Sequence, residues 1–425
     1  MRFLFPLIVW GPSYVREFLE QSLPTQLAYG NLSGFPWLEG SQYMILTTAQ
    51  DRKILEAAPI MRRLKRLIDV QYVEIDKIPR HNKYIGASMA QLEALKRSGN
   101  FDAIFFLYPD FICATGTITN AARRIVEGKD AVMFPIPAVL KSIFDDPAIV
   151  ENEVITPTGE GAVIEIPPRL LVDASTRHFH PMISGYIMGG ERSNIGPAYM
   201  IWNVPDEGML FRCFHLHPLV IRVQRDNPFY LNEFIVSLDE EYVPRLFRSL
   251  DGVYFARDSD EFAMCSIRTP TSPPQPLDVP IRLVHIAHWA EEYAALIHRE
   301  FSTIPFRWHG QAIEDEDLWE AVEAESAETI DVIRDRLATP DSILRFEDET
   351  AYAARARRRA RFRGWREPVF HSFYEPVAPP PPVAPEGAGI KLKLLFAVVR
   401  MARLQKLRNV PGVMPIWRRL RARLA

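Results

Sequence analysis

The stretch that most constrains this chain is residues 101–116, FDAIFFLYPDFICATG, an apolar run that ends abruptly on an acid. Residues 103–107 are too few for a lone helix and too uniformly apolar for a strand with one wet face. They read as a central strand of a parallel sheet, covered on both faces. Asp110 follows just past the carboxyl end of that strand, where open α/β sheets bind their ligands. A carboxylate there is placed to hold a metal or a sugar hydroxyl. The plainer alternative is a capping aspartate, because Thr115, Gly116 and Thr117 follow and open a helix.

The upstream chain supplies the rest of a sheet. Residues 1–10 (MRFLFPLIVW) are apolar and meet Gly11 and Pro12, a strand and then a turn. A helical pattern starts over residues 14–19, and residues 43–48 and 70–75 are further strands. Between those two, residues 51–67 carry the 3.6 spacing of a surface helix, with Ile54, Leu55, Ile60, Leu64 and Leu67 on one side. Residues 84–97 predict a helix whose apolar face is Ile85, Met89, Leu92 and Leu95. Alternating strands and helices make a doubly wound α/β sheet flanked by helices.

A Lys-rich turn, a helix, an apolar strand and an acid followed by a Gly resemble the donor half of GT-A glycosyltransferases. The resemblance spans roughly residues 1–267. It implies a GT-A-like mixed sheet, a nucleotide-diphosphate-sugar donor, and a divalent metal (manganese or magnesium) on the diphosphate. In that family the strand ends in Asp-x-Asp. Here the positions hold Tyr108, Pro109 and Asp110, so the first carboxylate is replaced and a metal-independent site stays open. Residues 206–212 (DEGMLFR) look like the acidic pair that opens a helix in many members. The resemblance makes Asp206 or Glu207 the general base that an inverting sugar transfer needs. Their plainer alternative is a pair of first-turn acids favoured by the helix dipole. The next segment, FHLHPLVI over residues 214–221, reads as a strand entered from an H-x-H. Within the resemblance His217 is the remaining metal ligand beside Asp110, and Lys83 and Asp239 join Asp110 as donor-binding candidates.

Two rival readings stand beside this one. The H-x-H-P repeats at 178–181 and 215–218 bring four histidines to mind as a metal-dependent hydrolase site. Helical spacing over residues 168–180 points His178 and His180 apart, however, and the chain carries no H-E-x-x-H. Tyr108 in place of an aspartate favours the other rival, a non-catalytic α/β binding or scaffolding module. Nucleophilic and P-loop chemistry lack their motifs, since neither G-x-S-x-G nor G-x-x-x-x-G-K occurs. Cys113, Cys213 and Cys265 are isolated among apolar neighbours, as buried thiols in a reducing compartment would be. The short apolar start carries Pro6 and runs straight into the first element, which reads as cytoplasmic.

With 425 residues the chain can hold two or three domains, and a pI near 6.4 gives no nucleic-acid signature. That balance conceals an asymmetry: residues 390–425 hold ten Lys and Arg and no acid. The expected organisation is a GT-A-like catalytic domain over 1–270, a helical extension over 281–377, a Pro-rich linker over 378–389 and a basic amphipathic tail over 390–425. Trp417 among arginines is typical of an interfacial anchor. The expected partners are a nucleotide sugar, a glycan or lipid-linked acceptor of the cell envelope, and an anionic membrane surface reached through residues 390–425. No nucleic acid is expected, and the expected place is the inner face of the cell membrane.

Overall fold

The apolar runs become the strands of one seven-stranded sheet. These are β1 (Phe3–Ile8), β2 (Gln42–Thr47), β3 (Asp69–Glu74), β4 (Ala103–Phe105), β5 (Ala131–Phe134), β6 (His217–Arg222) and β7 (Val253–Phe255). The computed structural model describes residues 1–78, 83–194, 196–227, 230–231, 238–247, 250–272 and 274–337. All of these fall in the first of two compact units, Met1–Glu375. The expected linker and basic tail lie outside the described residues, as does the arginine run at 355–363.

The spatial order is β3-β2-β1-β4-β6-β5-β7. Six strands run parallel, and β6 runs against both its neighbours. The chain winds outward from β1 to β3, then returns to place β4 on the other side of β1. This is the doubly wound mixed sheet expected from the sequence, and its order reverses between β1 and β4. In open α/β sheets that reversal opens a crevice at the carboxyl ends of the strands. The central strands β1, β4 and β5 are buried at every residue, whereas the edge strand β3 is partly exposed throughout.

Helices cover the faces. The single helix expected over 51–67 is two, Ala49–Ala57 and Pro59–Leu67. Pro59 has no N–H to continue the first and a fixed φ that suits the start of the second. Helix Lys83–Arg97 forms as expected.

The second half of the chain builds a smaller sheet, Tyr199–Val204 with Gly208–Cys213 and then Phe306–Trp308, all antiparallel. The helix expected to open at Asp206 is therefore a β-hairpin. Asp206 takes a positive φ of 61°, and the Glu207 N–H donates to the Val204 carbonyl at 3.1 Å. A Cβ on Gly208 would overlap the Trp308 carbonyl oxygen, so glycine lets the third strand close in. Helix Glu316–Leu337 lies on this sheet, where Trp319, Ile330 and Ile333 share a buried cluster with Met200, Trp202 and Phe214. Among the described residues, no helix is long and apolar enough to cross a membrane.

Candidate functional site

Three of the residues singled out from the sequence lie in one region at the carboxyl edge of the large sheet, within electrostatic reach of Tyr108 or His217. Asp110 lies in the turn that leaves β4. The strand is over at Phe105, with one further bridge at Leu107; Pro109 cannot donate a ladder hydrogen bond to extend it, and Ile267 N–H donates to the Asp110 carbonyl at 2.8 Å. A parallel bridge between Leu7 and Leu107 carries β1 and β4 together up to this turn. His217 opens β6, which runs antiparallel and so begins at the edge where its neighbours end. Asp239 sits in the helical turn Leu238–Tyr242. That turn is held by the buried His298, whose Nε2 donates to the Asp239 carbonyl at 2.7 Å while its Nδ1 accepts from Ala295 N–H.

Tyr108 is the common neighbour. Its ring lies 5.2 Å from that of His217 and 5.0 Å from that of Phe111, and Gln91 Nε2 donates to its hydroxyl at 2.5 Å. Burial, then the Asp239 charge, push the Tyr108 hydroxyl pKa upward, with Asp110 adding to the shift, so it stays protonated. His217 is buried, and burial pulls its pKa down against the opposing pull of Asp239 and the Phe106 carbonyl. It is therefore neutral at pH 7. Nε2 faces the Phe106 carbonyl at 2.9 Å and must carry the proton, which leaves Nδ1 as the nitrogen with the lone pair.

On the β1 side the carboxyl edge of the sheet continues into helix Pro12–Glu17. Glu17 is half-buried and accepts from Ser13 Oγ at 3.3 Å. Burial raises its pKa and the Asp110 charge raises it further, against smaller pulls from Ser13 and Lys141. No sequence motif marked Glu17 or Gln91; only the position of the first helix, directly after β1, could have drawn attention to Glu17.

The other expected site residues are placed elsewhere. Glu207 accepts from the Glu314 N–H at 3.2 Å and from Trp319 Nε1 at 3.3 Å, so it holds the start of helix Glu316–Leu337. Asp206 is exposed at the hairpin tip. Lys83 opens its helix, and its side chain lies outside the described residues. The four histidines of the H-x-H-P repeats do not converge. His178 bonds Asp146 and Ser142, His180 bonds the Thr269 carbonyl, and His215 bonds the Tyr293 carbonyl. Helix Pro168–Arg177 ends before His178, so the two imidazoles leave from a turn.

A second group was missed. Asp258, Asp260 and His309 bring their ligand atoms within 4.8 Å of one another, donor types that could hold a metal ion. The signal was present: Asp258-Ser259-Asp260 has the Asp-x-Asp spacing and follows the short strand β7. Each member is already engaged. Arg169 clasps Asp260 through Nε and Nη2 at 2.9 and 2.7 Å. His309 faces Asp258 through Nε2 at 2.9 Å and the Gln311 carbonyl through Nδ1 at 2.7 Å. Burial opposes the charged imidazole, but Asp258 and the Gln311 carbonyl outweigh it and raise the His309 pKa. A cation would have to displace both Arg169 and the imidazole proton. Asp110, His217 and Asp239 do not form a group of that closeness among the described residues.

No family model and no curated protein matches the chain. Among solved structures, the chain is similar to a glucose-1-phosphate thymidylyltransferase from Bacillus anthracis, at 12% identity and a TM-score of 0.24. It is also similar to a 4-diphosphocytidyl-2C-methyl-D-erythritol synthase from Anaerococcus prevotii, at 13% identity and a TM-score of 0.22. Each likeness covers 33% of this chain and 56% of the other. The chain thus matches little more than half the length of either, and likeness at this level carries no weight for its activity.

Proposed function

We propose that the chain is a glycosyltransferase whose nucleotide-sugar donor lies in the crevice between β1 and β4. The reading is carried by Tyr108 at the reversal of strand order, with the His217 ring against it and the Asp239 and Asp110 charges acting on it. Two carboxylates there can accept hydrogen bonds from sugar hydroxyls, charge-assisted bonds that fix a polyol in one orientation. The Tyr108 ring, packed against Phe111 and His217, adds an apolar surface beside them. We assign no step to a metal, since these side chains do not stand together as a ready ligand set.

The test is binding of a panel of nucleotide-diphosphate sugars to the full chain by saturation-transfer NMR, with and without manganese. One donor class is expected to bind, with sugar protons receiving saturation as strongly as the base. If none binds to protein that is folded by circular dichroism, the reading falls and the non-catalytic module replaces it.

The acceptor side of the proposal rests on residues 390–425. Ten basic residues without an acid suit an anionic lipid surface, and hence an acceptor that is lipid-linked or part of the cell envelope. Each Lys or Arg near such a surface contributes about 1 kcal/mol of screenable attraction. The full chain is expected to co-sediment with anionic vesicles and to release as salt rises, whereas a chain ending at Glu375 stays in solution. Equal sedimentation of the two would remove the tail from the proposal.

A further inference from the structure

The turn that carries Asp110 is closed by one carbonyl, that of Tyr108, which accepts from the Phe111 N–H at 3.2 Å. Pro109 and Asp110 fill the two central places of that turn. We propose that Tyr43, Gln26 and Ser22 are positioning residues of the site, a buried hydrogen-bond chain that ends on this carbonyl and sets where Asp110 stands. The inference rests on the donor reading above.

The chain is continuous. Tyr43, on β2, donates through its hydroxyl to Gln26 Oε1 at 2.7 Å. Gln26 Nε2 donates to Ser22 Oγ at 2.9 Å, and Ser22 Oγ donates to the Tyr108 carbonyl at 3.3 Å. All three residues are 0% exposed. Ser22 and Gln26 belong to the helical turns Phe18–Ser22 and Leu23–Gln26, which lie between β1 and β2 in sequence. The link thus runs from one sheet strand, through the segment that follows another, to the turn beyond β4.

Its polarity explains why all three polar side chains are needed. A carboxamide has an acceptor end and a donor end, and the Tyr43 proton fixes which end faces which way. With Oε1 taken by Tyr43, Nε2 faces Ser22. The serine oxygen accepts from Gln26, and its single proton goes to the Tyr108 carbonyl. Without the Tyr43 hydroxyl the amide is free to turn and offer Oε1 to Ser22, which draws that proton away from Tyr108. Apolar side chains could fill the same space without the desolvation cost of burying these groups. A satisfied polar chain instead selects one arrangement.

The other end of Tyr108 is held as well. Gln91, 3% exposed, donates to its hydroxyl at 2.5 Å, and the His217 and Phe111 rings pack on its ring. With Tyr108 fixed at its carbonyl and at its hydroxyl, Asp110, two residues on, has a fixed place.

The experiment measures donor Kd in the full chain for Tyr43→Phe, Ser22→Ala and their double variant, using a nucleotide sugar that the wild type binds. Each single change should weaken binding about threefold to tenfold, the worth of one neutral hydrogen bond. The double should be no weaker than the worse single, because Tyr43 and Ser22 are joined through Gln26 and the second cut falls on a broken chain. Ser98→Ala is the control, since Ser98 is 1% exposed and bonds Leu95 and Tyr230, off the chain. It should lose stability as the others do and keep wild-type donor affinity. Three results overturn the positioning role: Kd values within about twofold of wild type for both singles, effects that multiply in the double, or an equal loss of affinity in Ser98→Ala. Hydrogen exchange at the Phe111 N–H needs no donor. It should speed by about tenfold or more in Tyr43→Phe and Ser22→Ala alike, and not in Ser98→Ala. Unchanged exchange overturns the chain whatever the donor does. If no donor binds wild type and exchange still responds, the donor reading falls while the hold on the turn stands.

Discussion

Asp110→Asn and Asp239→Asn are each expected to weaken donor binding by roughly 10- to 150-fold while the fold stays intact. A hydrogen bond to a charged group is worth about 1.5–3 kcal/mol, and each 1.4 kcal/mol is about tenfold in affinity. Turnover should fall further, by about 100-fold or more, because a loosely held sugar also leaves the attack geometry. Both substitutions keep the backbone anchors of the two turns. Ile267 N–H and His298 Nε2 bond the Asp110 and Asp239 carbonyls, which asparagine retains. Glu207→Gln is the informative companion, since that carboxylate faces Glu314 N–H and Trp319 Nε1. It should leave donor affinity unchanged and loosen the start of the last helix. Loss of donor binding in Glu207→Gln, with full binding in the two aspartate variants, would reverse the assignment.

The large sheet was legible because its strands are short apolar runs separated by helices of clear 3.6 periodicity. Ala103–Phe105 is buried at every position, as the uninterrupted run implied. The sequence reading put Asp110 just past a strand and His217 at the opening of one, and both residues stand at those places. The segment from Asp206 was misread for a physical reason. Leu210, Phe211, Arg212 and Cys213 are all buried, so Gly208–Cys213 shows no alternation, and a short run without period fits helix and strand alike. The turn residues held the decisive signal: Asp206 and Gly208 both take positive φ, as a tight hairpin needs. Glu17 and Gln91 were out of reach. Their importance comes from which strands lie side by side, and strand order is not written in any local pattern.

Arg212 carries the largest expected effect on stability. It is 3% exposed, and its guanidinium reaches three separate acceptors. Nε donates to Ser326 Oγ at 2.6 Å, Nη1 to the Thr303 carbonyl at 2.6 Å, and Nη2 to the Glu323 carbonyl at 3.0 Å. One side chain of the hairpin thereby ties the last helix and the turn after Phe301 to the small sheet. Burial lowers its pKa, while Glu323 and Asp331 pull the other way and keep it charged. Arg212→Met keeps much of the stem's packing but removes all three bonds, so the Thr303 carbonyl loses its guanidinium donor while Ser326 Oγ and the Glu323 carbonyl keep only the bond between them. Breaking a buried charged hub of this kind costs roughly 3–5 kcal/mol. Arg212→Lys should recover only a part, because one ammonium cannot span three acceptors set in a fork. Chemical denaturation followed by circular dichroism gives the number, and a loss below about 1 kcal/mol for Arg212→Met would show that the hub is not holding the sheet. The consequence reaches the site as well. Tyr199, at the start of the hairpin, packs on Phe211 beside Arg212 and lies within the field of Asp239. A loosened small sheet should therefore lower turnover along with stability, and Arg212→Lys should restore both together.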